Sequence, residues 1–141
     1  MHQRFPRRLI EAIRDAEAVV VCPSNPVVSI GPILAVRGVR DALRETNAPV
    51  VAISPLVGGV PVKGPAAQLL RGTGAEVSAS GVATLYRDFA AGFVLDSRDT
   101  DQIPAVEALG LAVRSLDTLM TDIPRSIAVA DAAVSLAREL A

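Results

Sequence analysis

Cysteine, histidine and aromatic residues are almost absent from this chain of 141 residues. A single cysteine, Cys22, rules out an internal disulfide, and together with a single histidine, His2, it cannot assemble a zinc cluster. A Ser–His–Asp constellation has no candidate base other than His2, which lies in a terminus expected to fray. Aromatic residues make up 3% of the sequence, with no tryptophan, so base-stacking platforms for single-stranded nucleic acid are not expected. The formal net charge of −1 supplies no basic field for nucleic acid or an anionic membrane. The uncharged stretch 18–36 contains Pro23, Asn25, Pro26, Gly31 and Pro32, a pattern that suits a strand and loop better than a membrane helix. The basic start MHQRFPRR runs into Leu-Ile-Glu rather than an apolar segment, so it does not read as a signal peptide. The expectation is a soluble, cytoplasmic protein.

What the sequence does have is aliphatic. Hydrophobic residues make up 50% and charged residues 21%, enough for a core of Val, Ile, Leu and Ala. Apolar, β-branched runs at 18–22, 49–54, 92–96 and 111–114 read as buried strands, and Cys22 as a small buried residue closing the first. Helical spacing marks 7–16, 38–46, 65–71, 78–89 and 103–109, the last closed by Gly110. The final helix carries the clearest repeat, Ile123, Ile127, Ala130, Val134, Ala137 and Ala141, with Pro124 in its first turn. Alternating strands and helices imply an α/β fold: a single domain over 1–141, with a Rossmann-like parallel sheet in three layers and helices on both faces. In open parallel sheets, ligands bind beyond the carboxyl ends of the strands. The segments leaving those ends are 23–31, 55–64, 97–102 and 115–121.

The first of these, in CPSNPVVSIGP, joins two rigid turns to Ser24, Asn25 and Ser29 and leads into a helix start near 30–33. It admits two readings: free N–H groups and hydroxyls that hold a phosphate, or a proline turn whose polar side chains cap their own backbone. In SPLVGGVPVKGP, Gly58 and Gly59 allow close backbone approach to a ligand, and Lys63 is either a phosphate contact or a solvated lysine. The Walker A spacing is absent. The acidic run 96–101 offers oxygen ligands for magnesium or caps for the next helix, and Asp117-Thr118 reads as a further cap. Tyr86 reads as a half-buried helix residue, and Arg87 with Asp88 as a surface pair.

Three spaced motifs, PSNPxxSIGPIL, SPxxGGxxxKGP and GVAxxYxDxxxGFVxD, occur here in order. Together they resemble the 2-phospho-L-lactate transferase family, and the likeness runs from about Leu9 to Leu140. The resemblance implies a longer parent fold, of which this chain corresponds to the C-terminal half and which it leaves incomplete. It implies transfer of a 2-phospholactate or phosphoenolpyruvate phosphoryl group from a guanosine diphosphate-linked donor to the deazaflavin Fo. GMP is released, on the way to coenzyme F-420. Magnesium is implied as cofactor, with ligands outside this chain. The implied pocket residues are Ser24, Asn25, Pro26 and Ser29, with Gly58, Gly59 and Lys63 in the second loop. A nucleotide- or sugar-nucleotide-binding regulatory module of the same superfamily is the alternative; the sugar-nucleotide-binding proteins it resembles have corresponding loops that differ from PSNP and GGxxxKGP. An inactive fragment is the third reading. An incomplete sheet implies either a partner supplying the N-terminal half or a homo-oligomer.

Overall fold

The computed structural model describes residues 4–62 and 64–141. His2 and Lys63, both singled out above, lie outside the described residues, as does the start of the basic N-terminal segment.

Helix α1 (Arg4–Asp15) precedes strand β1 (Val19–Val21), which is followed by the short helices α2 (Ile30–Leu34) and α3 (Val39–Glu45). Strand β2 (Val50–Ile53) then leads into a small hairpin of β3 (Leu56–Val57) and β4 (Val60–Pro61). Helices α4 (Ala66–Gly72) and α5 (Ala79–Tyr86) come before β5 (Gly92–Asp96), and a 3₁₀ segment (Ser97–Gln102) runs on into α6 (Ile103–Glu107). Strand β6 (Ala112–Leu116) and helix α7 (Ile123–Leu140) complete the chain.

The main sheet has the order β1-β2-β5-β6 and is parallel throughout, with Val20 opposite Val51, Ala52 opposite Phe93 and Val94 opposite Arg114. Its two central strands are buried along their whole length, apolar throughout except for Asp96 at the end of β5. Successive side chains on a strand point to opposite faces. Val50, Ala52, Phe93 and Leu95 therefore enter one core with α1, α3, α5 and α6, while Val51, Ile53 and Val94 enter a second core under α7. Helices lie on both faces of the sheet. Fully buried side chains such as Phe93 and Leu95 each stabilise the fold by about 2–3 kcal/mol through the area they remove from water.

Several local expectations are corrected. The face that α7 turns to the sheet is Val129, Ala133, Leu136 and Ala137, not the stripe from Ile123 to Ala141, and only Ala137 belongs to both. Ile123 and Ile127 are 75% and 63% exposed. Small residues decide the matter: alanines let α7 lie close over Gly92, where a Cβ would stand 3.0 Å from Leu136 Cδ2. The segment after β2, read as a loop, pairs with itself in the hairpin. Gly58 and Gly59 have φ of 61° and 74°, the two left-handed positions of a two-residue turn. Cys22 is exposed because β1 ends at Val21 on the sheet margin. Tyr86 is buried, and burial pushes its phenol pKa well above the ordinary value against the lowering effect of Arg40. Asp88 pairs with Arg40 and Arg44, not with Arg87; the Arg40 hydrogen bond leads in holding its carboxyl below the ordinary range. Arg40 also stacks over Phe89 at 5.3 Å.

Candidate functional site

A cleft of about 390 Å³ opens beyond the carboxyl ends of β1, β2 and β6. Each of these strands delivers one wall. From β1 come Pro23, Ser24, Asn25 and Ser29; from β2 and the hairpin come Ser54, Pro55, Val57, Pro61, Val62 and, at the start of α4, Ala66. The segment leaving β6 supplies Thr118, Leu119 and Met120. This is the strand edge at which open α/β sheets bind ligands.

The first wall is organised by Asn25. Its Oδ1 accepts from the N–H groups of Val27 (2.9 Å) and Val28 (3.2 Å), and its backbone carbonyl accepts from those of Ser29 (3.1 Å) and Ile30 (2.9 Å). Four consecutive amides are thereby satisfied within the loop, so the N–H groups from 27 to 30 are not free to cradle a phosphate. The Asn25 NH₂ group and the hydroxyls of Ser24 and Ser29 remain as hydrogen-bonding groups of this wall. On the second wall, the buried Ser54 hydroxyl accepts from Leu56 N–H at 3.2 Å, fixing the entry to the hairpin.

The third wall is tied down from below. Asp96, at the end of β5, is fully buried and accepts from Thr118 N–H (2.9 Å) and Thr118 Oγ1–H (3.0 Å). It also accepts from Arg98 N–H (2.8 Å) and from the Arg98 guanidinium (3.1 Å). Burial pushes its carboxyl upward, but the hydrogen bonds from Thr118 and Arg98 together outweigh burial and hold it below the ordinary carboxylate value. Asp99 is also buried. Desolvation raises its pKa above the ordinary value, against the lowering effect of the Gly58 and Gly59 N–H groups.

The residues carried over from the family motifs do not all meet. Ser24, Asn25 and Ser29 share the main cleft. Pro26 is buried and faces a different depression with Gly31, Arg40 and Tyr86. Gly58 and Gly59 border a third, polar depression with Glu76, Arg98, Asp99 and Asp101. Thr118, Leu119, Met120 and Ser54 were not singled out as site residues. The signal that points to Thr118 is positional: it follows β6 on the same edge as Ser24.

No described residue lining the main cleft is charged. Among the described residues, no three His, Cys, Asp or Glu side chains are grouped to hold a metal ion. Asp96 is occupied by Thr118 and Arg98, and Asp99 by the hairpin turn. The donor set present among the described residues does not fit magnesium. What the cleft can do is accept an uncharged group, bond its hydroxyls or carbonyls through Ser24, Asn25 and Ser29, and keep water away with Pro55, Val57 and Leu119. No helix among the described residues is long and apolar enough to cross a membrane.

Residues 2–118 match the family model described as 2-phospho-L-lactate transferase CofD. The chain is 44% identical over 133 residues to a phosphoenolpyruvate transferase of Kitasatospora aureofaciens, covering 94% of this chain and 41% of that protein. It is 43% identical over 129 residues to a 2-phospho-L-lactate transferase of Methanosarcina barkeri, covering 92% and 41% respectively. A 2-phospho-L-lactate transferase of Methanospirillum hungatei is 48% identical over 112 residues, or 79% of this chain and 35% of that one. The chain thus spans about two fifths of the length of the curated relatives it matches.

Proposed function

The chain belongs to the 2-phospho-L-lactate transferase family, and from that premise we propose that it supplies the acceptor-binding part of a phosphoryl-transfer site. In the reaction proposed, the terminal hydroxyl oxygen of the deazaflavin Fo bonds to the phosphorus carrying 2-phospholactate or phosphoenolpyruvate. The bond from that phosphorus to the bridging oxygen breaks, GMP leaves with that oxygen and its electron pair, and the hydroxyl proton is released to solvent. The observation that carries the reading is the cleft at the carboxyl edge of the sheet, whose described lining carries no charge and whose polar groups are hydroxyls and an amide.

A cleft without a described cation, whose loop amides are internally satisfied, suits the uncharged acceptor better than a diphosphate. We assign Ser24, Asn25 and Ser29 to hydrogen bonds with Fo, and the apolar walls to its ring. Lys63 stands in sequence between Val62 and Ala66, both cleft-lining, and we assign it to the donor phosphates. Magnesium, which would neutralise charge on the transferring group when bound, we place with ligands in the part of the family fold this chain does not span. The cleft's own contribution is placement: it holds the acceptor hydroxyl in line with the phosphorus.

Titrating the folded chain with Fo, followed by the ligand's fluorescence with and without GDP and magnesium, tests this. Saturable binding is expected. Ser24→Ala and Asn25→Asp should each weaken it about 3–10-fold, the value of one lost hydrogen bond. Asparagine is replaced by aspartate because a carboxylate keeps the acceptor that organises the loop while removing the NH₂ donors. Absence of binding to folded protein at high micromolar concentration would overturn the assignment for the isolated chain.

We also propose that the chain does not work as a lone monomer. Strand β1 is an uncharged Val-Val-Val edge with no further strand beside it among the described residues, whereas the opposite edge strand carries Arg114 and Ser115. Charged residues are the usual protection of an open edge. We assign the occupant of the β1 edge to the rest of the family fold, more than half the relatives' length. Alone, the chain should self-associate, with a sedimentation coefficient that rises with concentration. A single monomeric species from low to high micromolar concentration would count against it.

A further inference from the structure

Asp99 is a buried carboxylate, 4% exposed, in the 3₁₀ segment after β5, and the transfer reaction proposed above makes no use of it. The backbone at Asp99 departs from helical geometry (φ −113°, ψ 23°). From there the side chain reaches across the chain: its Oδ2 accepts from Gly58 N–H at 3.1 Å, and Gly59 N–H also stabilises its charge. Those two glycines form the turn of the β3–β4 hairpin.

The hairpin needs such an anchor. It pairs only Leu56 with Pro61 and Val57 with Val60, and proline has no N–H to give to a ladder. A two-stranded ribbon of that length has little stability of its own. Leu56 is fully buried and secures the base, while Val60, exposed at 62%, secures nothing at the tip. Yet Val57, Pro61 and the adjoining Val62 make one wall of the cleft. The only described side chain that hydrogen-bonds to the turn is Asp99.

We infer that Asp99 is a positioning residue: by holding the Gly58–Gly59 turn it fixes the hairpin wall of the acceptor cleft, as Asp96 fixes the Thr118 wall opposite. One short segment leaving β5 thus sets the width of the cleft from both sides. The ligand-binding consequence rests on the acceptor-site reading above; the ordering of the turn does not.

The test compares wild type, Asp99→Asn, Asp99→Leu and Ser24→Ala in three readouts: thermal melting, amide hydrogen exchange at Gly58 and Gly59, and Fo titration. Asp99→Leu keeps the branched shape of the side chain but removes the acceptor, and should lower protection of Gly58 at least about tenfold and weaken Fo about 5–10-fold. Asp99→Asn keeps an acceptor oxygen and should restore both to within about threefold of wild type. Ser24→Ala should weaken Fo while leaving Gly58 protection unchanged. If melting shows that Asp99→Leu does not fold, Asp99→Ala carries the same expectations. Unchanged Gly58 protection in a folded variant lacking the acceptor would overturn the inference, and so would an Asn variant as impaired as the Leu variant. Should wild type fail to bind Fo, the acceptor reading falls, and hydrogen exchange alone decides the role of Asp99.

Discussion

Replacement of Asp96 by alanine is expected to lower the unfolding free energy by about 3 kcal/mol, because removing a buried ionised acceptor leaves several donors without partners. Asp96 is fully buried, and its two oxygens take the Thr118 N–H, the Thr118 hydroxyl, the Arg98 N–H and the Arg98 guanidinium. The guanidinium is half exposed and can return to water, so its share of the loss is small. Thr118 is 6% exposed, and its two donors cannot. Urea unfolding measures the effect directly. Asp96→Asn should cost less, since it keeps one acceptor oxygen but turns an NH₂ toward donors on the other side. The acid dependence has a definite sign. The folded-state pKa of Asp96 lies below its unfolded value, so its stabilisation is complete above about pH 3.9 and is lost as pH falls through the lower, folded value. Asp99 behaves oppositely: its folded-state pKa is raised, so its contribution is complete below the ordinary aspartate value and is lost as pH rises through the raised one. The stability of wild type relative to Asp96→Asn should therefore fall on acidification, and relative to Asp99→Asn it should rise. A difference for Asp96→Asn that stays flat as pH falls from about 3.9 through the lower, folded value would refute the carboxylate's role as an ionised acceptor.

These two aspartates also show where a sequence stops being legible. The strands could be read because each is an apolar, β-branched run bounded by proline or glycine, and Val50–Ile53 and Gly92–Asp96 are indeed the buried centre of the sheet. The carboxyl-edge rule then located the cleft, and Ser24, Asn25 and Ser29 lie in it. The run 96–101, in contrast, reads as helix caps or magnesium ligands, and Asp96 does cap the 3₁₀ segment through Arg98 N–H, but the reach of the two aspartates beyond it does not show. Its partners, Gly58 and Thr118, are 41 and 22 residues away from Asp99 and Asp96, and no local pattern encodes such pairings. Asn25 was legible as a polar turn residue, but not that its two oxygens would satisfy four successive amides. The hairpin was missed because two-residue strands have no period to detect, although Gly-Gly between Val57 and Val60 is the composition a two-residue turn demands. On α7, two apolar stripes compete, and hydrophobicity favoured the one with Ile123 and Ile127. Close approach over Gly92 selected the alanine-rich stripe instead, a choice made by sheet geometry rather than by residue type.

The second large effect is expected at Gly81. In an exposed helix, alanine is favoured over glycine by about 1 kcal/mol. Gly81 stands in the first turn of α5, and Gly81→Ala should nevertheless destabilise the fold by about 3 kcal/mol, at the upper end of overpacking costs. A Cβ there would lie 1.9 Å from the Glu76 carbonyl oxygen and 2.8 Å from its carbon, and these are backbone atoms that no rotamer change can move. Relief requires the helix start to shift away from residues 76–78. That movement would break the cap, in which Gly81 N–H donates to Ser78 Oγ (3.0 Å), and the bond from Ser78 N–H to the Glu76 carbonyl (3.0 Å). It would also drag Val82, Ala83 and Tyr86, all buried, out of register with the core they fill. Gly72→Ala is the control: no atom lies within 4 Å of the place its methyl group would take, and the φ of Gly72 is not in the left-handed region. The loss of chain entropy in the unfolded state should therefore stabilise that variant by about 0.5 kcal/mol. Melting the two variants side by side separates the general preference of helices for alanine from the close approach at residue 76. A Gly81→Ala protein that melts with wild type would mean that this approach is not part of the fold. The expected loss would mean that the first glycine of GVAxxYxDxxxGFVxD serves packing, leaving the chemistry to the loops beyond the strands.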